Sequence, residues 1–152
     1  MLVKRAGPFD IDGLAKARLA ERFIKGLDAF IEYSEKEWIR SWKGLVGTGN
    51  GYLAMLVNDK CLPVGAIGFT LGKELNNKSL AAQETFYYVD EEYRGTWSIK
   101  LIKFAEKELN DMNVRYIYLG VTNSPIKEKI KLLYERLGYN ELSSVFIKEL
   151  GD

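Results

Sequence analysis

Residues 80–121 constrain the fold of this chain more than any other stretch. LAAQETFYYV (80–89) is a β-rich run with aromatics near its end. An acidic turn, Asp90-Glu91-Glu92, follows. Ile99, Ile102, Ala105, Leu109 and Met112 then recur as one stripe, which predicts a helix over 97–112. VRYIYLGV (114–121) has the composition of a buried strand. A strand, a helix and a strand in this order require a right-handed parallel crossover. The junction at Arg94-Gly95 also suits a phosphate-bearing group, because a helix start exposes unpaired N–H groups and a partial positive charge.

The rest of the chain surrounds this unit with antiparallel pieces. LVKRA (2–6) reads as a short strand ended by Pro8. Leu14, Ala17, Leu19, Phe23, Leu27 and Phe30 have roughly helical spacing over 12–31, with Asp10 or Asp12 as a cap. Gly26 weakens the middle of that stretch and is expected to divide it in two. A helix over 33–45 places Trp38, Ile39, Trp42 and Leu45 on one side. GTGNG (47–51) is a turn signal. Strands from Gly51 and over 61–71 form a hairpin around Asn58-Asp59-Lys60, with Pro63 near a strand start or edge. Ser124-Pro125 reads as a helix start and Gly138 as the left-handed residue after its end. SSVFIKEL (143–150) reads as a last strand. The expected architecture is one α/β (α+β) domain over 1–152. It has a mixed, mostly antiparallel sheet of six to seven strands, about four helices and one parallel crossover.

Composition removes whole classes of chemistry. The chain has no histidine and a single cysteine, Cys61. Ser-His-Asp and Cys-His catalysis are excluded, as is a zinc site built on His or paired Cys. Proton transfer near neutral pH falls to Asp, Glu, Tyr, Lys or water. One cysteine allows no intrachain disulfide and is compatible with a reducing compartment. A net charge of +1 gives no electrostatic reason to expect nucleic acid. The start lacks the apolar core of a secretory signal, and no apolar run approaches ~20 residues. The expectation is a cytoplasmic protein bound neither to membrane nor to nucleic acid. Neither a Walker Lys-Ser/Thr nor GxGxxG is present, which argues against an ordinary nucleotide binder.

Two motifs then carry a resemblance. Tyr88-Val89-Asp90-Glu91-Glu92-Tyr93-Arg94-Gly95 ends a strand and opens a helix, and Leu133-Tyr134-Glu135-Arg136-Leu137-Gly138-Tyr139 ends a later helix. In this order, on these elements, the chain resembles the GNAT-type N-acetyltransferases over nearly its whole length. The resemblance implies acetyl-CoA as co-substrate, no metal, and direct attack of an amine on the thioester. It places the pyrophosphate on Arg94, Gly95, Thr96, Trp97, Ser98 and Ile99. It runs the pantetheine arm along main-chain groups near Tyr87, Tyr88 and Val89, against strand 114–121. The family's further glycines, two and four positions after the one matching Gly95, are Trp97 and Ile99 here. Asn123 matches a family asparagine but stands eleven residues before Tyr134, about one helical turn farther than usual.

The resemblance makes Tyr134 the acid that protonates the leaving thiolate and Glu84 the base that deprotonates the amine, directly or through water. Each residue also has a plainer reading. Tyr134 would pack beside Leu133 and Leu137, and Glu84 would be a solvent-facing strand carboxylate. Arg94 would pair with Glu91 or Glu92. Trp97 would either cover the cofactor or plug the core. Lys100, Lys103 and Lys107 would form a solvated face, or one of them would reach the 3′-phosphate. Trp38 and Trp42, one turn apart, would line an acceptor pocket or pack in the core. The acceptor amine, a small molecule or a protein, is not specified. The last strand would allow pairing between subunits of a homodimer. A non-catalytic GNAT-like CoA-binding or regulatory module is the alternative, since fold alone does not guarantee activity.

Overall fold

The computed structural model describes residues 1–27 and 31–151. Five strands form one sheet in chain order: β1 (Leu2–Arg5), β2 (Gly51–Val57), β3 (Pro63–Lys73), β4 (Leu80–Val89) and β5 (Tyr116–Tyr118). Neighbours are antiparallel except β4 and β5, the parallel pair that the crossover helix demands. Five α-helices flank the sheet: α1 (Ile11–Lys16), α2 (Leu19–Lys25), α3 (Glu35–Gly47), α4 (Thr96–Asp111) and α5 (Lys127–Arg136).

The sheet separates two apolar clusters. On one face Tyr52, Ile67, Phe69, Ala82 and Val89 meet Leu101, Ile102 and Leu109 of α4 and Tyr134 of α5. On the other, Leu53, Met55, Ala66 and Phe86 meet α1, α2 and Trp42 of α3. Strand β2 is buried at all seven positions, because both its faces are covered. Tyr52 is fully buried, and its hydroxyl donates to Glu108 of α4 at 2.6 Å. That bond pins the crossover helix to the middle of the sheet.

Local chemistry explains most element ends. Ser34 caps α3, its Oγ accepting from the Glu37 N–H at 3.3 Å. The turn between β2 and β3 closes on Asn58 Oδ1, which accepts from the N–H groups of Lys60 and Leu62. Pro63 opens β3, where its missing N–H costs no ladder bond. Helix α5 ends in paired bonds, from Tyr139 N–H to Tyr134 O at 2.9 Å and from Gly138 N–H to Glu135 O at 3.0 Å. Gly138 sits at φ +94°, so this is a Schellman closure built on the Leu-Gly-Tyr end of the motif.

Four expectations are corrected. The stretch after Asp10 does divide into two helices, but at Arg18, whose backbone is left-handed (φ 59°); Gly26 instead caps the end of α2. Phe30 of that stripe, and Asp28, an acidic residue whose charge would favour a cationic amine or simply face solvent, lie outside the described residues. Ser124 does not cap α5: a turn over Ser124–Ile126 comes first, and the helix starts at Lys127. The strand expected over 114–121 is regular only at Tyr116–Tyr118. Residues 143–150 form no strand, and Val145 and Phe146 are each 93% exposed. Strand composition is not enough where no neighbouring strand takes up the backbone N–H and C=O groups. Among the described residues the sheet therefore has five strands rather than six or seven, and its five helices agree with the expected number of about four.

Candidate active site

The site follows from two irregularities in β4. The first is a bulge. Gly68 pairs with Phe86 and Phe69 with Glu84, so Thr85 is the extra residue. Its Oγ donates to Gly68 O at 3.2 Å. Strict alternation would put Glu84, Phe86 and Tyr88 on one face of the sheet. The bulge changes the phase, so Ala82, Glu84, Tyr87 and Val89 share the α4–α5 face while Phe86 and Tyr88 join the opposite cluster.

The second irregularity is a gap. Strands β4 and β5 pair only from Ala81↔Tyr116 to Gln83↔Tyr118. Beyond that point β4 continues to Val89 while its partner strand stops. The N–H of Asp90 bonds Val64 O on the β3 side. Strand alternation therefore turns the main-chain groups of Tyr87 and Val89 toward the gap.

Glu84 and Tyr134 meet at the mouth of this gap through Gly120. The Gly120 N–H donates to Glu84 Oε1 at 3.4 Å, and the Tyr134 hydroxyl donates to Gly120 O at 3.1 Å. Burial pushes the Glu84 carboxyl up to about 7, and the single backbone N–H only partly offsets it. Burial also raises the Tyr134 phenol, and the charge of Glu84 adds to that shift. Tyr134 therefore stays protonated near neutral pH and serves there as an acid rather than a base. It is 7% exposed and packs against the Tyr139 ring at 5.9 Å. The plain reading of Tyr134 as a packed core ring and its reading as a positioned donor hold together. Tyr87 completes the group: its hydroxyl donates to Ser98 O at 2.7 Å, tying β4 to the first turn of α4.

The start of α4 lies at the other end of the gap. Gly95 precedes it at φ +92°, which L side chains rarely adopt, and a Cβ there would meet nothing within 4 Å. The first helical bond runs from Ile99 N–H to Gly95 O at 3.2 Å. The N–H groups of Thr96, Trp97 and Ser98 thus have no helical partner. No side chain caps this end, and its first turn holds no acidic residue. Every one of those features leaves the N–H cradle open to an anion.

The remaining predicted residues have clear places. Arg94 pairs with neither Glu91 nor Glu92; its Nε donates to Val89 O at 2.8 Å, and its guanidinium lies over the Tyr88 ring at 5.4 Å. Arg22 covers the same ring at 5.3 Å and bonds Asp90 at 2.7 Å. Trp97 packs against the core cluster while Lys100 Nζ sits 4.2 Å from its ring centroid. Thr96 is exposed and Ile99 is half-buried. Asn123 is exposed, in the turn before α5. Sequence reasoning missed Gly120 and the Tyr87 hydroxyl. A glycine interrupting the apolar run 114–121 was the available signal for the first.

The profile of the acetyltransferase (GNAT) family matches residues 17–139, which spans both motifs and the whole gap. The chain belongs to this family. As a GNAT acetyltransferase it falls among acyl-transfer proteins. Its fold is similar to that of a probable acetyltransferase at 14% identity, with a TM-score of 0.74 over 100% of this chain and 99% of that one. A ribosomal-protein-alanine N-acetyltransferase from Brucella melitensis biovar Abortus 2308 gives 16% identity and 0.72, over 99% and 100% of the two chains. A glucosamine-6-phosphate N-acetyltransferase from Arabidopsis thaliana gives 16% and 0.70, over 99% and 98%. No curated protein matches the chain. At these identities the solved structures speak for the fold. Among the described residues no helix is long and apolar enough to cross a membrane.

Proposed function

We propose that this GNAT acetyltransferase moves an acetyl group from acetyl-CoA to a primary amine by direct attack. The observation that carries this reading is the convergence of Glu84 and Tyr134 on Gly120, at the mouth of the β4–β5 gap. Acetyl-CoA supplies an activated acyl group and a pyrophosphate anchor. The free N–H groups of Thr96, Trp97 and Ser98 fit that anchor, and Gly95 leaves the backbone open to close approach.

The chain's own residues divide the chemistry. Glu84, with its carboxyl raised to about 7, takes a proton from the ammonium form of the acceptor and frees the lone pair for attack. A carboxylate of ordinary acidity is a weaker base at neutral pH. The Val89 N–H faces the gap and is the donor available to a carbonyl oxygen that gains charge. Tyr134, held protonated, donates its proton to the departing thiolate as the C–S bond breaks, and the second proton shed by the attacking nitrogen restores the phenol. Arg94 must leave Val89 O wherever that carbonyl binds the arm of the cofactor.

A non-catalytic regulatory module is the second reading, and the Arg94 bond to Val89 O favours it because that bond occupies a carbonyl the cofactor arm would use. Thiol release on mixing protein, acetyl-CoA and a panel of primary amines separates the two. Amine-dependent release that falls in Glu84→Gln and Tyr134→Phe supports the enzyme. Weak or absent acetyl-CoA binding by the folded protein, with no release across the panel, supports the module.

A further inference from the structure

On the face of β4 opposite Glu84 lies a cavity of about 370 Å³. Ile24 of α2, Trp38, Trp42 and Leu45 of α3, and Phe86 and Thr85 of β4 line it. Trp38, Trp42 and Phe86 form an aromatic triad with centroids 5.9–6.1 Å apart, and both tryptophans meet Phe86 edge to face. Trp42 is largely core, 5% exposed, whereas Trp38 is half-buried.

The cavity is tied to the candidate site by the bulge. Thr85 lines it, and the next residue back is Glu84, at the point where β4 and β5 part. Glu84 projects to the other face, so an amine carried by a body in this cavity reaches it through the β4–β5 gap, which opens beyond Gln83 beside Thr85. The charged lining is one-sided. Glu32 and Glu37 contribute to it, and among the described residues no Lys or Arg does. Arg40 meets Glu37 only at 3.8 Å, between two exposed side chains.

From this lining we infer that the acceptor is a primary amine on one aromatic or bulky aliphatic body, carrying no phosphate and no carboxylate. The inference rests on the acetyl-transfer reading above. The triad of Trp38, Trp42 and Phe86 offers flat apolar surface to an aromatic or bulky aliphatic group. Carboxylates without cations attract an ammonium group and repel a phosphate. The volume is at the small end of ligand pockets, roughly 300–1,000 Å³, which suits a single-ring body.

Two measurements test it on the full-length protein. The first is quenching of tryptophan emission by phenylethylamine, without acetyl-CoA, against glucosamine 6-phosphate and alanine. The second is acetyl transfer to the same three amines and to an alanine-initiated peptide. The variants are Ser41→Phe, which fills the cavity from an exposed lining position, and Glu37→Lys, which reverses a rim charge. We expect phenylethylamine to quench and to be acetylated with kcat/KM at least tenfold above the others. Ser41→Phe should raise its KM at least tenfold and leave the KM for acetyl-CoA unchanged. Glu37→Lys should narrow its lead over the phosphate-bearing amine. Transfer that favours glucosamine 6-phosphate, alanine or the peptide would keep the enzyme reading and overturn this one. Binding of phenylethylamine without transfer would keep the cavity's assignment and overturn the enzyme reading. Neither binding nor transfer of phenylethylamine overturns the inference.

Discussion

The two faces of β4 have opposite characters although they are made of alternate residues of one strand. The α4–α5 face carries Glu84 and Tyr87, joined by Tyr134 and the main chain of Gly120. The α1–α3 face carries Phe86 among tryptophans. One face has ionisable groups short of water, and the other has aromatic surface lining a cavity. The difference comes from a single extra residue. Without the bulge at Thr85, Glu84 would share a face with Phe86, and neither region would exist in its present form. A strand gains a site by breaking its own period.

The sharpest way to break the comparison is to neutralise its polar side. Glu84→Gln should lower kcat/KM by about 10²–10³-fold. In the wild type, activity should rise with pH through about 7, as the carboxylate forms, and the variant should lose that limb. Stability should move the other way. The folded carboxyl titrates near 7 and the ordinary value is 4.5, so between these the folded state holds more protons than the unfolded one. Wild-type stability should then fall as pH rises across that window, by on the order of 3 kcal/mol in all. Glu84→Gln should therefore match the wild type at pH 4 and exceed it at pH 8 in urea melts. A variant less stable at pH 8 would show that the carboxylate is not confined in this way.

Pressing on the apolar side comes next. A Cβ on Gly68 would stand 2.6 Å from Phe86 Cε1 and 2.8 Å from Trp42 Cη2. Gly68→Ala should cost about 2 kcal/mol through overpacking, with little effect on acetyl-CoA affinity. Tyr134→Phe acts across the polar side again. It should slow turnover about tenfold or more and cost roughly 1 kcal/mol for the lost bond to Gly120 O. The smallest effect lies at the edge of the aromatic face. Ser34→Ala removes the cap of α3 and should lower stability by about 1 kcal/mol or slightly less, measured by thermal melting.

Much of this was legible in the sequence, for physical reasons that differ by region. The crossover unit was readable because period and composition change sharply between residues 89 and 96. The LYERLGY end was readable because a left-handed C′ residue almost demands glycine, and Gly138 supplies it. Glu84 and Tyr134 could be named, but not their meeting point. That depends on Gly120, which contributes only main-chain atoms. The bulge left no mark, since Glu-Thr-Phe fits regular and bulged strands alike. Residues 143–150 show the reverse error: a segment with strand composition has no paired neighbour and stays irregular. The plainer reading of Arg94 paired it with Glu91 or Glu92, yet a carbonyl and an aromatic ring hold it.

The central claim is that the uncapped start of α4 holds the anionic part of acetyl-CoA, and one substitution tests it most directly. Thr96 is exposed and lies in the first turn of the helix. Aspartate there complements the helix dipole, so Thr96→Asp should leave the melting temperature unchanged or slightly higher. The same charge would stand where a pyrophosphate must sit. Calorimetric titration with acetyl-CoA should show binding by the wild type and at least tenfold weaker binding by the variant. Equal affinity in the two proteins, or no binding by a folded wild type, would contradict the account.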